Sequence, residues 1–222
     1  GEQQDFHHIS GLAQLATISG ATQEFIVVGI ETTDRTNELT YPATDPRYVK
    51  KWPTLGGAPA FRRFIAQEVQ PFVDDRYRTS GETALMGESL AGLFVVDTFL
   101  RQPGLVDRYV AVSPSLWWDS GSLATQAPAL LAAQDGADRT LWLTIADEGG
   151  SMQTATDRLV AALKAAPPKG LKWSYAARPT ETHASIYHGA ALDALRSLWG
   201  LDTHYGDGST PWWLEDAPEA AK

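Results

Sequence analysis

Thr83-Ala84-Leu85-Met86-Gly87-Glu88-Ser89-Leu90-Ala91-Gly92-Leu93-Phe94 is the stretch from which the rest of the chain can be read. An apolar run (Ala84, Leu85, Met86) stops at small residues, and a second run (Leu90, Leu93, Phe94, Val95, Val96) resumes at once with helical spacing. The pattern is strand, tight turn, helix, with a serine at the turn, which is the layout of a nucleophile elbow. Such a turn strains the serine backbone and brings strand and helix close together, so the residues two before and two after must lack bulk. Gly87 and Ala91 meet that need, although the usual G-x-S-x-G pattern has glycine where Ala91 stands.

The turn also has an electrostatic consequence. Ser89 falls at a helix N-terminus, where unpaired N–H groups and the positive end of the dipole favour an anion. The backbone N–H of Leu90 is therefore a candidate oxyanion donor. A close-packed structural turn would use the same small residues, so the partners of a nucleophile have to be sought elsewhere in the chain.

The 222 residues, 43% of them hydrophobic, are enough for a substantial core in one α/β domain. With 27 acidic against 18 basic side chains the net charge is −9, and no Lys/Arg stripe is available to neutralise phosphates, which argues against a nucleic-acid partner. The absence of cysteine removes disulfides, thiolate metal sites and cysteine nucleophiles together. No stretch is apolar for long enough to span a membrane.

Apolar positions from Phe6 to Ile18 recur at helical spacing, and Phe25-Ile26-Val27-Val28-Gly29-Ile30 reads as a parallel strand buried on both faces. Residues 31–57 form a long polar loop carrying Tyr41, Tyr48 and Trp52. A helical pattern from Ala60 to Phe72 leads to the elbow. Strands are then expected at 109–112, 141–146 and 171–177, alternating with helices at 122–133, 154–166 and 185–199. Five strands separated by helices predict an α/β fold, a mostly parallel sheet with helices on both faces. Residues 1–201 are assigned to this domain, and 202–222, with Trp212 and Trp213, to a C-terminal tail laid over the surface.

A serine hydroxyl needs a base, and the base needs an orienting acid. On a parallel sheet both should follow strand C-termini. His183, in the loop after strand 171–177, stands in that place. His7 and His8 lie on the first helix, His188 one turn into the last, and His204 in the tail. The preceding strand ends in Asp147-Glu148-Gly149-Gly150, and either carboxylate could serve. The order serine, acid, histidine is the one expected of an elbow serine. No metal-binding, Walker or dinucleotide motif competes with it.

With these residues in place, the chain resembles the α/β-hydrolase superfamily, in the putative esterase family that includes esterase D and enterochelin esterase-like hydrolases. The resemblance is carried by Val28 to Arg35, Gly56-Gly57-Ala58 with Phe61 and Phe64, Gly87 to Phe94, Ser113-Pro114-Ser115-Leu116-Trp117-Trp118, and Glu181 to Tyr187. It implies Ser89 as nucleophile, His183 as base, and an acid in the 147–148 loop, Glu148 before Asp147. It makes Trp117 and Trp118 a pocket wall. It also implies N-terminal strands, the last of them central and next to the elbow strand, ahead of the first segment seen here. Two arrangements follow: a separate or cleaved N-terminal segment completes the sheet, or the fold closes on itself. Glu2 or Gln3, near that junction, is the candidate second oxyanion donor.

The resulting expectation is a serine hydrolase acting on small-molecule carboxylic esters, with no metal or organic cofactor. The alternatives are acyl transfer and a non-catalytic binding module of the same fold. A periplasmic or secreted location is what the resemblance alone implies.

Overall fold

The computed structural model describes residues 3–134 and 136–201, so Glu2, His204 and the tail with Trp212 and Trp213 lie outside the described residues. The chain divides into two compact units, residues 32–187 and residues 1–31 with 188–222.

In the larger unit two short helices, α2 (Arg35–Leu39) and α3 (Pro46–Lys51), occupy the long loop, each capped by an aspartate that accepts from a backbone N–H, Asp34 from Asn37 and Asp45 from Arg47. Next come α4 (Ala58–Phe64), a π-helical turn (Ile65–Val69) and α5 (Gln70–Arg76). The wide turn precedes Pro71, which has no N–H to give to the carbonyl four residues back and whose ring crowds it. One long predicted helix is thereby split.

The sheet consists of β1 (Ala84–Glu88), β2 (Arg108–Val112), β3 (Arg139–Ala146) and β4 (Leu171–Arg178), all parallel and in the order β1-β2-β3-β4. The connections α6 (Leu90–Arg101), α7 (Trp118–Ala132) and α8 (Gly150–Ala165) step in one direction, so right-handed crossovers put them side by side on one face. Accordingly, α7 packs on both α6 and α8. Residues 141–146 of β3 and 109–112 of β2 are buried without a break, as internal strands require, while β4, at the edge of the sheet, alternates from Leu171 to Ala176. The core is made by Leu93, Phe94 and Phe99 of α6, Tyr109, Leu141, Leu143 and Ile145 of the sheet, and Leu159 and Leu163 of α8.

In the smaller unit α1 (Gln3–Ile18) is the first predicted helix, and most of α9 (Ile186–Trp199) belongs here. The expected strand at 25–30 is not one. Among the described residues the run has no ladder partner, and Ile26 and Val28 are each 45% exposed. Apolar β-branched composition makes a strand possible, but only a neighbouring chain makes it real. The predicted five strands are therefore four, and β1 is an edge of the sheet among the described residues. The nearest pairing is one antiparallel bridge, Thr22 with Gly200.

His188 Nδ1 lies 3.1 Å from His8 Nε2, so one imidazole must donate to the other. Partial burial first, and the His188 ring second, hold the His8 pKa below 6.5, with Asp5 opposing. A base whose folded pKa is depressed is neutral in both states above 6.5; below it the unfolded chain binds the proton first, and stability falls with pH. The chemical-denaturation midpoint should drop between about pH 7 and about pH 5, and His8→Gln should flatten that drop. Equal slopes in parent and variant would remove the pair from the account.

In the larger unit α4 is tied to α6 by ions. Asp97, fully buried, takes the guanidinium of Arg62, 5% exposed, on one oxygen and Arg101 Nε at 2.7 Å on the other. Removing a partner leaves a buried charge unpaired. Asp97→Ala is expected to lose about 3–5 kcal/mol in urea unfolding, and a loss under ~1 kcal/mol would contradict the tie.

Candidate active site

Ser89 links β1 to α6 with φ 59° and ψ −120°, a conformation that costs a residue with a Cβ on the order of 1–3 kcal/mol. Three backbone hydrogen bonds hold it there: Ser89 N–H donates to Val112 O (3.1 Å), and Ser89 O accepts from Leu93 (2.9 Å) and Ser115 (3.0 Å). The small residues explain how the turn fits. A Cβ on Gly87 would lie 2.6 Å from the Ala91 carbonyl carbon and 2.7 Å from its Cβ. One on Gly92 would lie 2.9 Å from Val112 O. Ala91 can replace the usual glycine because Gly87 makes room for its methyl, while the closest approach to β2 falls at Gly92.

Among the described residues no side chain caps α6, so the first-turn N–H groups, Leu90 among them, are left for a ligand. Glu2 lies outside the described residues. Gln3 is the first residue of α1, and its side chain lies outside them as well.

At the end of β3 the two neighbouring carboxylates part company. Asp147 is exposed, and its backbone N–H donates to Glu181 O at 3.0 Å, joining the β3 and β4 loops. Glu148 turns inward, its side chain 11% exposed, and its Oε1 meets His183 Nδ1 at 2.6 Å. With Nδ1–H given to Glu148, Nε2 is the basic nitrogen of His183. The end of β3 that leads to Glu148 is anchored by Ser113, the residue after β2, which is buried, stands at φ 38° and accepts the Ala146 N–H on its hydroxyl at 3.0 Å.

The Ser89 hydroxyl is paired with the Ser115 hydroxyl at 3.3 Å, and among the described residues it makes no hydrogen bond to His183. Ser115, only 2% exposed, was not singled out from the sequence as a site residue; its signal was the Ser-Pro-Ser-Leu-Trp-Trp run directly after a strand end. That run continues into an aromatic cluster. Trp118 is fully buried, with Tyr48 and Trp52 each 5.2 Å from its ring centre, and half-buried Trp117 lies 6.2 Å from both.

A hollow of about 450 Å³ at the N-terminal ends of the strands, near Glu82, Arg108 and Lys172, is at the opposite end of the sheet from Ser89. Open parallel sheets take ligands at their C-terminal ends. Among the described residues no group of three or more His, Cys, Asp or Glu is placed to hold a metal, and no helix is long and apolar enough to cross a membrane.

Residues 3–199 match the family described as "Putative esterase", and the chain belongs to that family. It is 45% identical over 75 residues to the siderophore enterobactin esterase of Emericella nidulans, covering 32% of this chain and 25% of that protein. It is 31% identical over 103 residues to the ferri-bacillibactin esterase BesA of Bacillus subtilis, covering 41% and 36%. The matches thus span between a quarter and little over a third of these relatives. Among solved structures, an IroE-like serine hydrolase from Shewanella oneidensis superposes with a TM-score of 0.78 at 28% identity, over 89% of this chain and 67% of that one. The siderophore hydrolase EstA from Aspergillus nidulans, at 22% identity and a TM-score of 0.69 over 87% and 78%, shares the fold. The architecture is that of an α/β-hydrolase.

The elbow makes a stability prediction. Gly87→Ala should cost about 1–3 kcal/mol by overpacking, while Ala91→Gly should cost no more than ~1 kcal/mol. Thermal melts of the two variants with the parent test this, and a neutral Gly87→Ala would refute the close packing.

Proposed function

We propose that this protein hydrolyses carboxylic esters through an acyl-enzyme on Ser89, with His183 as base and Glu148 as the acid that orients it. The observation that carries this reading is the 2.6 Å contact between Glu148 and His183 Nδ1, made at the ends of β3 and β4 while a strained serine terminates β1 in the same sheet. Nδ1–H held by a carboxylate leaves Nε2 to remove the Ser89 proton as Oγ attacks the ester carbonyl. The tetrahedral oxyanion is held by Leu90 N–H at the uncapped start of α6 and by a second donor. Protonated His183 then gives its proton to the leaving alkoxide. In the second half, His183 takes a proton from water, hydroxide attacks the acyl carbon, and Ser89 leaves with the proton returned. For this to begin, the Ser89 hydroxyl must exchange its Ser115 partner for His183.

The half-buried Trp52, Trp117 and Tyr48 offer flat apolar faces, suited to an aromatic group on the acid or alcohol side of the ester. Relatives described as acting on enterobactin and ferri-bacillibactin make siderophore esters the natural class to assay first.

Intact-mass spectrometry after treatment with a fluorophosphonate tests the nucleophile, alongside hydrolysis of phenyl acetate. A single adduct is expected on the parent and none on Ser89→Ala, whose turnover should fall at least ~10³-fold with the fold retained. Hydrolysis by Ser89→Ala at the parental rate would end this reading.

A further inference from the structure

The aromatic cluster is held from below by one side chain that the reaction does not use. Although α7 is nominally helical from Trp118, Asp119 (φ 48°), Ser120 (φ 56°) and Gly121 (φ 77°) are all left-handed, and the regular helix begins at Ser122. Two successive left-handed residues that carry a Cβ are sterically costly. The effect of this turn is to send the Asp119 carboxylate, 4% exposed, into the loop that carries the aromatic residues.

There it meets a full set of donors. Oδ1 accepts the backbone N–H groups of Thr44 and Asp45, both at 2.9 Å, and the Thr44 hydroxyl lies 3.3 Å from Oδ1 and 3.2 Å from Oδ2. Oδ2 also accepts from the Ser122 hydroxyl at 2.9 Å. Asp45 is in turn the N-cap of α3. A six-residue helix fixed at its start has little freedom elsewhere, so Asp119 sets the rotation of α3. That rotation sets Tyr48, on the helix, and Trp52, the residue that caps its C-terminus and donates its N–H to Tyr48 O, with their rings 5.7 Å apart. Tyr48 Oη completes the link, donating to Trp117 O at 3.0 Å and accepting from Ser120 N at 3.3 Å. The chain of contacts runs from Asp119 through α3 to Tyr48, Trp52 and Trp117, two residues beyond the serine that touches Ser89.

We propose that Asp119 is the positioning residue that holds this aromatic wall, and that through the wall it sets a preference for aromatic over aliphatic groups in the ester. The proposal rests on the esterase reading above and adds a specificity determinant to it. Asp119 touches no reacting atom and acts on substrate affinity rather than on the chemical step.

The test measures pH-stat hydrolysis of phenyl acetate and ethyl acetate by the parent, Asp119→Asn and Thr44→Val, with benzamide binding followed by tryptophan fluorescence. Asp119→Asn should raise KM for phenyl acetate about tenfold, with kcat for both esters and KM for ethyl acetate within about twofold of the parent. Benzamide affinity should weaken in step. Thr44→Val, which removes one donor and keeps the shape, should show the same split at about threefold, and it carries the comparison if Asp119→Asn does not fold. Equal loss on both esters, or an unchanged ratio, overturns the proposal. If the parent hydrolyses neither ester but the Asp119→Asn protein binds benzamide about tenfold more weakly, the esterase reading falls and the wall assignment stands. Benzamide binding that is absent from the parent or identical in the variants overturns the wall assignment as well.

Discussion

The approach of α6 to the first two strands is the constraint on which the rest depends. Ser89 occupies a backbone conformation that a serine in a free chain avoids, and it stays there because its N–H and C=O are held by Val112, Leu93 and Ser115. Those bonds form only if the helix can lie against the sheet at a distance that leaves no room for a Cβ on Gly87 or Gly92. The strain is local, whereas the packing that sustains it is spread over Leu93, Phe94, Val96 and Phe99, all buried. At Ser89 itself the turn is held by main-chain hydrogen bonds, while the buried side chains of α6 keep the helix close enough for those bonds to form.

Charge is arranged by the same logic. The chain carries nine more acidic than basic groups, yet the carboxylates that matter are taken up one at a time. Asp97 is paired with two arginines across α4 and α6, Asp119 is satisfied by backbone and hydroxyl donors, and Glu148 is hydrogen-bonded to an imidazole. Each is buried or nearly so, and each joins segments distant in sequence. Burying a carboxylate is unfavourable unless its lone pairs are used, so every such group specifies one arrangement of the loops around it.

How much of this was legible beforehand follows from whether the signal is local. The elbow, the crossover helices and strands β1 to β4 could be read because apolar spacing and small residues report on a few neighbours at a time. The run Phe25–Ile30 was misread because a strand depends on a partner that composition does not reveal. The split at Pro71 was visible as a residue but not as a π turn. Asp147 and Glu148 are adjacent and chemically alike; only the direction in which the backbone leaves β3 turns one to solvent and the other to His183. Asp119 gave no functional signal, since Asp-Ser-Gly ahead of an apolar run reads as an ordinary helix start, and its partners lie some seventy-five residues earlier.

A parallel sheet brings such scattered residues together without any of them being near another in sequence. Each strand of this one ends on the same side, so the residue just past each end joins a common rim. β1 delivers Ser89, β2 leads to Ser115 and Trp117, β3 to Glu148 and β4 to His183. The spacing along the rim is set by strand register, Glu88 opposite Val112, Val112 opposite Thr144, and Ala146 opposite Arg178, and not by loop length. The sheet therefore fixes where each loop starts, and the course of the loop decides which side chains meet, Ser89 with Ser115 and Glu148 with His183. The 31–57 loop joins the same rim from outside the sheet, because Asp119, in the segment that follows β2, accepts the backbone N–H groups of Thr44 and Asp45 and so fixes a stretch that precedes every strand in sequence.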